Sequence, residues 1–219
     1  SRDHTERMLI AMGIDLTVSA GRTHGLAGVT GSGKSTLLQH LNGLMRPQKG
    51  TVHLGELHLE EPSLSMREIV RRSGLVFQNP EMQFFETYVG DEIAYGPRQL
   101  ELEGPVREHV RRAMEMVGLD FDAFKDRPVF ALSGGERRKV ALASVLANQT
   151  EILLLDEPTA GLDPQSHREI LGRLRRLQRE GTRLVMSSHR MDDLAEMAQD
   201  LTVFRKGRSL FSGPAAEFF

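Results

Sequence analysis

GVTGSGKSTLLQHLNGL, residues 28–44, places three glycines within six residues and follows them with a lysine, two hydroxyl side chains and an apolar spacing typical of a helix. Its first eight residues fit the pattern G-x-x-x-x-G-K-[ST] through Gly28, Gly33, Lys34 and Ser35. A β-rich run precedes the pattern and helical sequence follows it, which is the context that the pattern requires. The stretch therefore predicts a phosphate-binding loop. The competing interpretation is a flexible glycine turn that caps an ordinary helix.

Glycines at this corner would let successive backbone N–H groups turn toward phosphate oxygens, and the helix start adds positive potential at the same place. We expect Lys34 to reach the β- and γ-phosphates of ATP and the Ser35 hydroxyl to bind Mg²⁺. The residues expected to contact the nucleotide here are Gly28, Thr30, Gly31, Ser32, Gly33, Lys34, Ser35 and Thr36.

Composition excludes several classes of protein. The 219 residues suffice for one sizeable core or two small lobes, and a net charge of -2 provides no global attraction to nucleic acid or anionic lipid. The absence of cysteine excludes disulfides and thiol nucleophiles. Apolar runs are far shorter than the about 20 residues that span a bilayer, and the N-terminal residues do not resemble a signal peptide. We expect neither membrane crossing nor export.

Short β-rich runs alternate with helical patterns along most of the chain. The predicted strands lie at residues 23–28, 74–78, 151–156, 183–189 and 201–207. This alternation predicts an α/β fold with a mainly parallel sheet flanked by helices. Between residues 79 and 148 the pattern changes to helices with Pro and Gly breaks. We predict an α/β core from residues 1–78 and 149–219, with a helical lobe, residues 79–148, inserted into it.

The run EILLLDEPTAGLDP, residues 151–164, ends a buried strand on two carboxylates. They fall at the C-terminal edge of the sheet, where open α/β sheets bind ligands. We expect Asp156 to hold the metal ion through its water shell and Glu157 to polarise an attacking water. A polar start to a loop is the competing interpretation. Further on, Asp163 precedes Pro164 in a strong helix N-cap arrangement.

ALSGGERRKVALASVLA, residues 131–147, carries Ser133 and Glu136 at the spacing of a capping box, with two glycines between them. A helix that begins in this way is a second candidate anion site. A well-capped helix without further function is the alternative.

Together these motifs resemble the ATP-binding cassette ATPases, which are P-loop NTPases. The phosphate loop, Gln78 after a strand, LSGGE, LLLDEPTAGLD and His189 in SSH occur in the family's order and approximate spacing. The resemblance implies a head-to-tail dimer in which the LSGGE residues Ser133, Gly134 and Gly135 of one chain reach the nucleotide of the other. It also implies that Gln78 senses metal and water, that His189 is the γ-phosphate switch, and that Asp163 contacts the partner.

The segment GLVFQNPEMQFFETYVGDEIAYGPRQL, residues 74–100, is similar to the ATPases of energy-coupling factor transporters, importers of vitamins and of cobalt or nickel ions. SGKSTLLQHLNGL and SSHRMDDLAEMA resemble the second of their paired ATPases. This implies a homodimer or a heterodimer with a paralogous ATPase, a transmembrane coupling subunit and a substrate-binding membrane subunit, at the cytoplasmic face of the cell membrane. No nucleic acid partner is expected.

In such importers a groove in the helical lobe accepts helices of the transmembrane subunit. The candidate lining residues are Met82, Phe84, Phe85 and Tyr88. Packing inside the lobe is the alternative for each of them.

The chain departs from the family pattern in two places. The family begins with a strand and an aromatic residue that stacks on adenine, yet no Phe, Tyr or Trp precedes Phe77. The chain also ends at GPAAEFF, where energy-coupling members commonly continue into a segment that helps to hold the dimer. Both the adenine contact and dimerisation without ATP are therefore left open. In the first predicted strand, Gly25 is expected to weaken the fold.

Two alternative functions belong to other classes. A soluble cassette acting on DNA or ribosomes would carry long coiled coils or tandem cassettes, and the sequence shows neither. A nucleotide-binding regulator that does not hydrolyse ATP is disfavoured by Glu157.

Overall fold

Five parallel strands form the centre of the structure, as the alternating pattern predicts. The computed structural model describes residues 18, 20–47, 50–54 and 56–219, so the N-terminal stretch in which the family's first strand would lie is outside this part. In the six-stranded sheet the order is β4-β5-β6-β1-β7-β8, and only β8 runs antiparallel to its neighbour. The strands are β1 Thr23–Gly28, β2 His53–Leu54, β3 Leu57–His58, β4 Ser73–Val76, β5 Ile152–Asp156, β6 Arg183–Ser188, β7 Asp200–Arg205 and β8 Arg208–Pro214.

Helices cover the sheet. They are α1 Lys34–Leu41, α2 Met66–Arg72, α3 Val89–Leu100, α4 Val106–Val117, α5 Phe121–Phe124, α6 Gly134–Leu146, α7 Pro164–Arg179 and α8 Met191–Met197. Strand β5 is buried on both faces, because Leu153 and Leu155 join one apolar cluster and Leu154 joins another. The run of four apolar residues therefore forms a central parallel strand that is covered on both faces, as its sequence predicts.

Four helices, α3 to α6, lie between β4 and β5 in the chain. Ile93, Met114 and Val140 on these helices are fully buried and belong to the same cluster as Leu153 and Leu155. This packing fixes the LSGGE segment at the start of α6 relative to the sheet.

Gly25 has a different role from the one that the sequence suggests. A Cβ at this position would lie 3.0 Å from both Ala198 Cβ and Leu201 Cδ1, and 3.1 Å from Leu194 Cδ2. The glycine therefore permits the end of α8 to pack closely on the central strand β1. Glycine loses more backbone entropy than other residues when the strand forms, and the close packing of α8 on β1 accompanies this loss.

Two β features were not predicted from the sequence. Strand β8 pairs with β7, and a small antiparallel hairpin, β2–β3, stands beside the main sheet. The hairpin packs on α2 through Leu54, Leu59 and Ile69.

Candidate functional site

The glycine-rich loop connects the end of β1 to the start of α1, as predicted. A Cβ on Gly28 would lie 2.5 Å from the Phe204 carbonyl oxygen and 2.7 Å from Ser32 Oγ, so only glycine fits there. Gly33 has a φ of 113°, in the left-handed region that favours glycine. The Lys34 ammonium donates hydrogen bonds to the carbonyl oxygens of Gly28, at 2.7 Å, and Val29, at 3.4 Å. Lys34 therefore lies across the loop.

Several features of this loop fit a phosphate group. No side chain caps the N-terminus of α1, so its first N–H groups lack a side-chain acceptor. The buried Ser32 hydroxyl has no hydrogen-bond partner in the described part of the chain. Beyond the Gly31 Cα there is open space for at least 4 Å, and Thr30 and Ser35 are exposed while Thr36 is half-buried. The loop thus offers N–H groups, hydroxyls and one ammonium within a few residues of each other, with Thr30 and Ser35 accessible.

Ser187 of the neighbouring strand holds the carboxylate of Asp156 and the backbone of Glu157 at the end of β5. Ser187 Oγ donates to Asp156 Oδ1 at 2.6 Å and accepts from the Glu157 N–H at 2.9 Å. This contact follows from the strand register, which pairs Asp156 with Ser187. Sequence reasoning missed Ser187, although its position two residues before the end of the predicted strand at residues 183–189 was a usable signal.

Glu157 lies between Lys34 and His189. Its Oε1 is 3.7 Å from Lys34 Nζ, and both side chains are more than nine-tenths buried. Its Oε2 contacts His189 Nδ1, whose side chain is 55% exposed. The backbone of Glu157 has a φ of 49°, which is uncommon for a residue other than glycine. A carboxylate is therefore held in a dry position between a cation and an accessible imidazole.

Gln78 is exposed two residues beyond the end of β4, and its backbone is held by a buried arginine. Arg138, 6% exposed, donates from its guanidinium to the carbonyl oxygens of Phe77, Gln78 and Ala160. Burial lowers the pKa of Arg138 below its usual value. One side chain of α6 thus joins the segment after β4 to the segment after Glu157.

Sequence reasoning missed Arg138, and a signal was present. Arg138 shares a helix face with Ala141, Leu142 and Val145, all of them buried, at the spacing i, i+3, i+4 and i+7. An arginine on an apolar stripe indicates a buried guanidinium with specific acceptors.

Both predicted helix caps are confirmed. Ser133 Oγ accepts from the Glu136 N–H at 3.3 Å, and Glu136 Oε2 accepts from the Ser133 N–H at 2.7 Å. That backbone hydrogen bond, more than any other contact, lowers the pKa of Glu136. Asp163 accepts from the N–H groups of Gln165 and Ser166 at the start of α7, and hydrogen bonds with Ser166 lower its pKa.

The predicted site residues fall into two groups. Within the described part of the chain, no hydrogen bond or ion pair joins residues 133–136 to the phosphate loop. A Cβ on Gly134 would have open space, whereas Gly135 packs against Ser166. A cavity of about 370 Å³ borders Gly134 and is also lined by residues after β4 and by Ala160–Leu162. The start of α6 is therefore accessible from outside.

A buried acid connects α7 with α8 beside His189. Asp193, 2% exposed, accepts from Thr159 Oγ1 at 2.7 Å and lies 3.0 Å from His167 Nε2. A cavity of about 310 Å³ lies against these elements, with Gly161, His167 and His189 in its lining. This contact set was not predicted.

None of the helices formed by the described residues combines the length and the apolar character needed to cross a bilayer.

Comparison with known proteins places these features in a family. A family model described as ABC transporter matches residues 11–160. The chain is 47% identical over 207 residues to the energy-coupling factor transporter ATP-binding protein EcfA2 of Symbiobacterium thermophilum, which covers 94% of this chain and 72% of that protein.

Solved structures support the same relationship. The chain is similar to cbiO1 from Clostridium perfringens, part of the ABC transporter complex cbiONQ, with a TM-score of 0.81, 30% identity, and coverage of 95% of this chain and 83% of that one. It is also similar to the dimeric structure of MJ0796, a bacterial ABC transporter cassette, with a TM-score of 0.80, 25% identity, and coverage of 92% and 88%. The predicted fold class is confirmed.

Proposed function

Because this chain belongs to the ABC transporter family and, within it, to the ATP-binding proteins of energy-coupling factor transporters, we propose that ATP-driven closing and reopening of its dimer powers uptake of a vitamin or a transition-metal ion through membrane partners. As a member of this family the chain is a nucleotide-binding ATPase. The observation that carries the proposal is the buried carboxylate of Glu157, which is held between Lys34 and His189.

The residues of the phosphate loop would bind the nucleotide. Gly28 to Thr36 supply N–H groups and hydroxyls for the phosphates, and Lys34 would exchange its loop carbonyls for β- and γ-phosphate oxygens. Ser35, Gln78 and Asp156 offer hydroxyl, amide and carboxylate oxygens, the ligand class that Mg²⁺ prefers. Bound there, Mg²⁺ would supply positive charge that offsets the negative charge developing on the phosphates.

Glu157 would orient and polarise the attacking water. The bond from its backbone N–H to Ser187 holds the main chain, and Lys34 and His189 hold the carboxylate, so little reorganisation is needed when water arrives. His189 contacts the same carboxylate and is exposed, which suits a group that answers to the γ-phosphate. Gln78 would respond to metal and water from the segment that Arg138 holds.

A second chain would complete the site. The capped start of α6 would serve as an anion site: in the described residues no hydrogen bond joins it to the phosphate loop of its own chain, and a Cβ on Gly134 would have open space. In a head-to-tail dimer, Ser133, Gly134 and Gly135 of one chain would meet the nucleotide held by the other, and Asp163 would contact the partner. The similar dimeric cassette supports such an assembly.

The surface after β4 would receive the transmembrane subunit. Met82, Phe85 and Tyr88 are exposed, with 77%, 61% and 46% of their surface accessible. Phe84 instead packs against the main apolar cluster, which favours the packing alternative for this residue. We place the assembly at the cytoplasmic face of the membrane. The rival function, a clamp on nucleic acid or ribosomes, has no support from the relatives compared.

The dimer is tested with variants of exposed helical glycines. In a Glu157→Gln background, which slows hydrolysis, we expect Mg-ATP to double the sedimentation mass of the chain, alone or mixed with its membrane subunits. Adding Gly134→Glu is expected to abolish this dimer without weakening ATP binding, because it sets a carboxylate against the partner's phosphates. Gly172→Glu on α7, where a Cβ also has open space, is the matched control. A dimer that forms equally well with Gly134→Glu would refute the proposal.

A further inference from the structure

We propose that the β2–β3 hairpin carries a binding site for a divalent transition-metal ion that prefers nitrogen ligands, such as Zn²⁺, formed by His53, His58 and Glu60. This inference is independent of the nucleotide site and of the transported substrate. Within the described residues, these three side chains form the one group of histidine and acidic residues whose ligand atoms converge, lying within 4.8 Å of one another.

The strand register brings the two histidines together. His53 pairs directly with His58 across the antiparallel hairpin, and Leu54 pairs with Leu57. Side chains alternate between the two faces along each strand. Leu54, which follows His53, and Leu59, which follows His58, are therefore buried, whereas both histidines are exposed on the opposite face. Their ring centroids are 4.2 Å apart.

Glu60 supplies the third ligand. It lies two residues beyond His58, and one of its carboxylate oxygens accepts a hydrogen bond from the Val52 N–H. That bond orients the carboxylate, as partners of metal ligands commonly do. In a tetrahedral site with bonds of about 2.0–2.1 Å, the ligand atoms lie about 3.4 Å from each other. The ligand atoms now lie within 4.8 Å of one another, so the exposed imidazoles must rotate toward Glu60 when an ion binds.

The base of the hairpin is fixed. The guanidinium of Arg46 donates to the carbonyl oxygens of Leu59, at 2.6 Å, Glu61, at 2.8 Å, and Leu64, at 2.9 Å. Leu54 and Leu59 also pack on Ile69. The backbone that carries the ligands is therefore ordered before an ion arrives, which lowers the entropy lost on binding.

The ligand set selects the class of metal. Two imidazoles and one carboxylate match catalytic-type zinc sites, in which water occupies the remaining position, and they also suit Co²⁺, Ni²⁺ and Cu²⁺. Mg²⁺ prefers an all-oxygen environment and competes poorly here. The site is therefore distinct in chemistry from the oxygen ligands of Ser35, Gln78 and Asp156.

Calorimetric titration of the full chain with ZnCl₂ tests the site. Saturating Mg²⁺ and ADP keep the nucleotide site filled, and the parent is compared with His58→Ala. Loss of an outer-shell partner of a metal ligand typically reduces metal affinity by about 10–100-fold, so loss of a ligand itself is expected to weaken one zinc site by at least about tenfold or to abolish it. Glu56→Gln, on the turn of the same hairpin and exposed, removes a nearby charge but no ligand and is expected to retain that site.

Both histidines are exposed, so circular dichroism is expected to show His58→Ala folded like the parent. As a second readout, Co²⁺ added to the parent should give visible absorption bands of imidazole ligation that both His53→Ala and His58→Ala diminish. Unchanged zinc stoichiometry and affinity in His58→Ala, or an equal loss in Glu56→Gln, would overturn the proposal.

Discussion

Replacing Arg138 by methionine removes a buried cation and keeps a side chain that can fill most of its space. The guanidinium donates to three backbone carbonyl oxygens, at 3.3 Å for Phe77 and 3.1 Å for Ala160, with Gln78 as the third acceptor. A hydrogen bond to a charged group contributes about 1.5–3 kcal/mol, so three give about 4.5–9 kcal/mol before desolvation is counted. Burial of the guanidinium costs several kcal/mol. We therefore expect the free energy of unfolding to fall by about 2–4 kcal/mol.

Urea denaturation of the full chain measures this loss. Arg112→Met, at an exposed position on α4, is the matched control and is expected to change stability by less than about 0.5 kcal/mol. Arg138→Lys is expected to fall between parent and Arg138→Met, because an ammonium is a compact donor and the three acceptors are spread around a planar fork. If Arg138→Met is as stable as the control variant, the three bonds do not contribute as the structure indicates.

The same variant has a kinetic consequence. Arg138 joins the segment carrying Gln78 to the segment that follows Glu157, so its loss should disturb the position of groups near the reacting phosphate. At a temperature where the variant is folded, we expect the turnover number to fall more than tenfold while the affinity for ATP changes less than threefold, since misplacement of catalytic groups acts mainly on the transition state. Equal losses in both quantities would instead indicate general distortion of the nucleotide site.

Three further predictions concern single residues. Lys34→Ala is expected to weaken binding of a fluorescent ATP analogue by about 10–100-fold, because at least one charge-assisted hydrogen bond to phosphate is lost, and unchanged affinity would remove the phosphate-loop assignment. Gly25→Val is expected to lower stability by about 1–3 kcal/mol through crowding against Ala198 and Leu201, whereas Gly172→Ala in open space on α7 should raise it by up to about 1 kcal/mol; similar thermal shifts would contradict this reasoning. Burial lowers the pKa of His24 from 6.5 to about 4, although the charge of Asp200 acts in the opposite direction. As the pH falls, His24 is therefore protonated in the unfolded chain before it is protonated in the folded chain. The free energy of unfolding should thus decrease by about 3 kcal/mol between pH 7 and pH 4, and His24→Gln should lack this part of the pH slope in denaturation experiments.

Local sequence patterns were sufficient for the fold class, for the position of the glycine-rich loop and for two helix caps. The phosphate loop, the capping box of Ser133 and Glu136 and the cap at Asp163 were predicted because each depends on residues within eight consecutive positions. The five parallel strands were predicted from short apolar runs, because a strand that is buried on both faces is apolar along its length whichever strands lie beside it. Strand β8 was missed because its alternating, half-exposed residues give a weaker signal than a buried run.

Contacts between distant segments were decided by the tertiary structure alone. Ser187 reaches Asp156 through the register of β5 and β6, and Arg138 reaches the carbonyl of Ala160 across the join between α6 and the sheet. Whether position 25 requires a glycine depends on how closely α8 approaches β1. The pairing of His53 with His58 depends on the way the chain reverses between them. Sequence alone determined which residues can cap a helix or line a strand, because backbone geometry repeats over a few residues. Which side chains meet was settled only by packing, because burial of the shared apolar core fixes strand register and helix position together.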